Sequence, residues 1–173
     1  MDTTDDEFYY QKSFWKKLQQ LKFDIIYLNQ HFKRCVTILR AIKYAMVVLT
    51  ALSVAALTAW FSIEWVRFLC LFASIICQVI SALSEYFPFE TRKSEIREMV
   101  GKLDVMYNEA ESFWREIANG EIPICDIRTQ MAVFMKREQE IQSNYLKNDV
   151  LPEIEKIVTI ATNKTIDYFE NLI

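Results

Sequence analysis

WFSIEWVR, residues 60–67, stands between YAMVVLTALSVAALTAW and FLCLFASIICQVISALS, and how it is read decides the fold. From Tyr44 to Ile63 there is no charge, and from Phe68 to Ser84 there is none either. About 20 apolar residues cross a bilayer core as a helix, with a lower limit near 17. The octet is then either the tip of a membrane hairpin or a polar break in a buried helix. Burying both runs in a water-soluble fold would need more protein around them than a 173-residue chain supplies. The hairpin is therefore expected.

The flanks fit that reading. Trp60, Phe61 and Trp65 border Glu64 and Arg67, as aromatics do at a membrane interface. Tyr44 stands at the far edge of the first run, and Tyr86, Phe87 and Phe89 follow the second. Lys33, Arg34, Arg40 and Lys43 precede the first run, and Arg92, Lys93 and Arg97 follow the second. The octet offers only Arg67 beside Glu64. The positive-inside rule then places both termini in the cytoplasm.

The expected organisation is an all-α membrane protein. Residues 1–43 form a cytoplasmic heptad helix continuous with the first span, 44–63. Residues 64–67 make an external turn, 68–86 the second span and 87–173 a cytoplasmic helical tail. With 2 Gly and 3 Pro the chain has few turn residues, which suits helices and not a sandwich or barrel. The start, MDTTDDEF, is acidic and carries no apolar signal-peptide core. Cys35, Cys70, Cys77 and Cys125 form no CxxC pair and read as reduced thiols.

Helical periodicity is strong outside the two runs. Phe14, Leu18, Leu21, Ile25, Leu28, Phe32, Cys35, Leu39 and Ile42 alternate steps of four and three, a heptad seam. Ile96, Val100, Leu103, Tyr107, Ala110, Trp114 and Ile117 repeat the spacing, after a cap at Thr91 or Ser94 and before a stop at Asn119-Gly120. Asp126 is the expected cap of a further helix with Ile127, Met131, Phe134, Ile141 and Tyr145 on one face. Asp149 and Pro152 open the last, with Ile154, Val158, Ala161, Thr165, Tyr168 and Leu172 as its stripe. These stripes need partners, in the same chain or in copies of it.

Enzyme chemistry finds little footing. His31 is the only histidine. No Arg lies in the fifteen residues before it, which removes the pattern of the HEPN helical ribonucleases. No zinc spacing and no Gly-rich phosphate loop occurs, so no cofactor or metal is expected. Residues 1–43 carry 8 basic and 5 acidic groups, net +3, and residues 85–173 carry 11 and 17, net −6. The tail therefore lacks the basic footprint of a general nucleic-acid binder.

The second run holds the more specific signal. Ser74, Gln78, Ser81 and Glu85 recur at steps of four, three and four, and Arg67 extends the stripe. An amide facing lipid is costly, so Gln78 faces another helix or a water path. These five residues are the candidate pore lining. Phe8, Tyr9, Tyr10, Phe14 and Trp15, in FYYQKSFW, are candidate gate residues that would plug a pore mouth.

The layout FKRCVTILRAIKYAMVVLTALSVAALTAWF, then FLCLFASIICQVISALSEYFPFE, then a helical tail to Ile173, resembles the SLATT-type proteins of bacterial antiphage defence. The resemblance covers nearly the whole chain. It implies an oligomeric inner-membrane effector that permeabilises the membrane when a partner system, typically one making a nucleotide-derived signal, activates it. The small membrane accessory proteins of RNA-targeting CRISPR systems are similar in layout. The alternative function is a membrane-anchored scaffold or tether for a cytoplasmic partner.

Overall fold

The structure is a computed structural model that describes residues 3–59, 64–86, 89–145 and 153–171. Among the described residues there are five helices and no strand. They are α1 (Thr3–Ala59), α2 (Glu64–Tyr86), α3 (Phe89–Ala118), α4 (Ile124–Tyr145) and α5 (Glu155–Glu170). The chain divides into two compact units, Met1–Phe32 with Glu95–Ile173, and Lys33–Ser94.

The first unit takes in the N-terminal part of α1, nearly all of the tail part of α3, and α4 and α5. The seam residues Phe14, Leu18, Leu21, Ile25 and Leu28 of α1 are buried here. On α3 the buried face holds Ile96, Val100, Leu103, Tyr107, Ala110 and Ile117, widened by Met99 and Met106. Ile127 and Ile141 of α4 and Phe169 of α5 complete one core. The α1 seam thus finds its partners inside the chain over these residues. An aromatic cluster ties the helices together. The Phe14 ring lies 5.5 Å from Phe113, 6.2 Å from Trp114 and 6.0 Å from Phe134. Trp15 lies 4.9 Å from Trp114 and 5.0 Å from Phe169. Such pairs add about 0.5–1.5 kcal/mol each beyond the apolar area they bury.

Several boundaries differ from expectation. Thr91 and Ser94 lie inside α3, not at its cap, because the helix already begins at Phe89. Pro88 precedes that start in the sequence, and proline is well tolerated where a helix opens. Asp126 is in the first turn of α4, and the Pro123 carbonyl accepts from the Asp126 and Ile127 amides at 3.0 and 3.3 Å. Glu64–Arg67, expected as a turn, begin α2. Residues 60–63, which follow α1 and precede α2 in the sequence, lie outside the described residues, as do Asp149 and Pro152.

The stop at Asn119-Gly120 is as expected. Gly120 has φ +73°, the left-handed conformation that a side chain makes costly. The Gly120 amide donates to the Ile117 carbonyl at 3.0 Å and the Glu121 amide to Glu116 at 3.1 Å. Those two bonds are the Schellman closure of a helix.

The second unit holds Lys33–Ala59 of α1, all of α2, and the first residues of α3. Its apolar side chains are covered on few sides. Tyr44, Val47, Val48 and Leu52 of α1 and Trp65, Phe68, Leu71, Phe72, Ile75 and Val79 of α2 are exposed. Among the described residues, α1 is the one helix long and apolar enough to cross a membrane by length and composition. Its most apolar 18-residue window has mean hydropathy 1.8, with none of it buried. In α2 the described apolar segment is Leu71–Ala82. At 1.5 Å per residue that is about 18 Å, short of a bilayer core, although the 23 residues of α2 together run about 34 Å.

Candidate functional site

In the described part of α2, three faces can be separated. With Ala73 as the origin, 100° per residue puts Cys77 and Ile80 within about 40° of it. Ala73 is buried and Cys77 and Ile80 are half-buried, so this is the shielded face. Ser81, Ser74 and Gln78 fall at about 80°, 100° and 140°. Leu71, Ile75, Val79 and Phe72 occupy about 160° to 260°, and all four are exposed.

The three polar residues that the sequence groups together do share a face. Ser74 is half-buried, and Gln78 and Ser81 are exposed. Gln78 lies about 140° around the helix from Ala73 and is exposed, off the shielded face. Arg67 and Glu85 fall near 120° by register, and their side chains lie outside those described. On α1, Thr50 donates to the Met46 carbonyl at 2.7 Å. Its hydroxyl is satisfied within its own helix, as helix threonines commonly are.

The candidate gate residues are in the first unit. Phe8 and Tyr9 are exposed, each 66%, and Lys12 Nζ sits 5.9 Å from the Phe8 ring. Tyr10 and Trp15 are half-buried against the core, and Phe14 is 3% exposed within it. A plug using all five would have to withdraw Phe14 and Trp15 from their ring contacts. Emptying a core site of a large aromatic costs about 3–5 kcal/mol.

The same unit contains a polar network that periodicity did not single out. Glu138 occupies the inward line of α4 between Phe134 and Ile141 and is 6% exposed. Its Oε2 pairs with Lys17 Nζ of α1 at 2.5 Å. About two turns further along α1, Asp24 Oδ1 accepts from Gln20 Nε2 at 2.9 Å. Burial pushes the Asp24 carboxyl up to about 6, and Glu138 adds to this while Gln20 and Lys17 oppose it. A single lysine thus serves two carboxylates in a mostly apolar core. The signal for Glu138 was its position in the series 131, 134, 138, 141, 145. A search for apolar stripes passes over a charge at such a position.

A second cation is enclosed nearby in the sequence of α1. Lys22 Nζ lies 4.3 Å from the Tyr107 ring centre and 3.9 Å from that of Tyr168. His31 is 4% exposed and its ring lies 4.7 Å from Tyr27. The inward line of α1 therefore passes through His31, while Phe32 is half-buried at the edge of the core. Of the expected α5 stripe, Ala161 is fully buried, and its flanking neighbours Ile157 and Phe169 are more buried than Val158 and Tyr168. Tyr168 instead extends its hydroxyl to Glu111 Oε2 at 3.5 Å. Among the described residues no group of three His, Cys, Asp or Glu comes together as a metal site.

No family model, curated protein or solved structure matches this chain.

Proposed function

We propose that the chain is a two-span, oligomeric inner-membrane channel or pore-forming effector, with both termini in the cytoplasm and the polar face of α2 along its water path. The observation that carries this reading is the exposed Gln78 amide, set between a shielded face and a broad exposed apolar face. In a membrane, the apolar face meets lipid and the shielded face meets α1. The amide then lacks partners unless copies of the chain bring their α2 helices around water. Polar residues inside a bilayer are costly, and an oligomer removes that cost by sharing the path among subunits.

The first unit, with its own core, is read as the cytoplasmic domain that receives the trigger. The resemblance to SLATT-type proteins supports antiphage defence as the setting, a nucleotide-derived signal or a partner effector protein as the trigger, and membrane depolarisation as the outcome. Gating through the exposed Phe8 and Tyr9 is compatible with the packing; a plug that includes Phe14 and Trp15 requires partial unfolding of the core.

The test is flux through liposomes containing the purified chain. Triggered vesicles should release ions or small dyes, and Gln78→Leu should reduce the release. Vesicles that stay sealed with every candidate trigger, together with unchanged cellular toxicity of Gln78→Leu, would refute the proposal.

A further inference from the structure

From Ile25 to Ile63 the chain has no Asp or Glu, yet it carries Lys33, Arg34, Arg40 and Lys43. No carboxylate one helical turn away on α1 can therefore neutralise Arg40. Lys33, Arg34 and Arg40 are exposed, and none of the three makes an ion pair among the described residues. All four cations belong to the second unit, whose other chain end brings Arg92 and Lys93. Directly after Lys43 the exposed surface of α1 turns apolar, with Tyr44, Val47, Val48 and Leu52.

We propose that this basic stretch of α1 is a binding surface for the phosphate headgroups of anionic phospholipids. The proposal rests on the membrane-spanning reading above and deepens it by naming the lipid class. If the bilayer core begins at Tyr44, Arg40 and Lys43 stand within about 6 Å of it along the helix axis, which is the depth of the headgroup layer. Lys33 and Arg34 stand about 15 Å from that border. They are outside the headgroups but within about one Debye length of them at physiological salt. Arg40 should thus make direct contacts with phosphate, as guanidinium groups do in pairs of parallel hydrogen bonds. Lys33 and Arg34 act through the surface potential. Free nucleic acid is the competing anionic partner, and the adjoining apolar surface favours lipid over it.

The full chain in a neutral detergent is titrated with short-chain phosphatidylglycerol or phosphatidylcholine, and bound lipid is counted by native mass spectrometry. Wild type should retain phosphatidylglycerol in preference to phosphatidylcholine. Each cation near an anionic surface is worth about a factor of five, so Arg40→Gln should lower the preference about fivefold. Lys33→Gln/Arg34→Gln/Arg40→Gln should lower it at least tenfold. The Lys33 and Arg34 contribution should vanish in 0.5 M salt. Equal retention of both lipids by wild type, or a preference the triple variant keeps, overturns the proposal. A triple variant that loses binding of a single-stranded oligonucleotide but keeps phosphatidylglycerol reverses the assignment. Membrane extraction separates the two levels. A chain washed from cell membranes by alkaline carbonate refutes the spanning reading and this proposal together. A chain that stays embedded and binds both lipids alike refutes this proposal alone.

Discussion

Replacing Asp24 by Asn should stabilise the first unit at pH 7, and the gain should disappear on acidification. The carboxyl is partly buried beside Glu138 and holds its proton up to about pH 6, against an ordinary 3.8. Between those values the folded chain binds a proton that the unfolded chain has released. Stability contributed by this group is thus full below about pH 4, falls as pH rises and is lost above about 6. The gap corresponds to about 3 kcal/mol at roughly 1.36 kcal/mol per pH unit. Residual solvent access to the partly exposed carboxyl reduces this to about 1–3 kcal/mol. Asn keeps an oxygen for the Gln20 amide and removes the charge. The assay is thermal unfolding in mild detergent followed by tryptophan fluorescence, in a Trp60→Phe/Trp65→Phe background. There only Trp15 and Trp114, both in the first unit, report. Asp24→Asn should melt higher than its parent at pH 7 and together with it near pH 4. A lower melting temperature at pH 7, or a difference unchanged by pH, would refute the reasoning.

Three further outcomes follow from the same unit. Lys17→Met leaves Glu138 buried without its cation and should cost about 3 kcal/mol, most of it regained in Lys17→Met/Glu138→Leu, as the same melts would show. Leu103→Ala empties a side chain that is 1% exposed and should cost about 2–5 kcal/mol by denaturant unfolding. Gly120→Ala meets no atom within 4 Å, so its cost, about 1 kcal/mol in the same assay, comes from φ alone. A larger loss there would mean that the Schellman closure itself breaks.

The helical layout was legible because apolar spacing and glycine placement act locally. The α3 seam from Ile96 to Ile117 and the stop at Gly120 depend on neighbours within a turn or two, and both are read directly from the chain. Helix starts were less legible. Thr91, Ser94 and Asp126 are good capping residues, but the helices begin earlier, at positions that follow Pro88 and Pro123. The charged members of the core were not legible at all. Lys17, Asp24 and Glu138 look like solvated positions until α1 and α4 are packed, because their burial depends on residues more than a hundred positions away. For the candidate site, the grouping of Ser74, Gln78 and Ser81 follows from register alone. The gate candidates followed from composition, which does not reveal that Phe14 and Trp15 are held by Phe113, Trp114, Phe134 and Phe169.

Thiol accessibility along α2 tests the central claim most directly. In a chain with Cys35, Cys70, Cys77 and Cys125 replaced by Ala, single cysteines are placed at 71, 72, 74, 75, 78, 79 and 81. Intact cells are then treated with a membrane-impermeant thiol reagent after activation. Labelling at 74, 78 and 81, with 71, 72, 75 and 79 protected, is the result expected of a polar face along a water path. Uniform labelling of all seven positions, or none at 78 in an active protein, would contradict it.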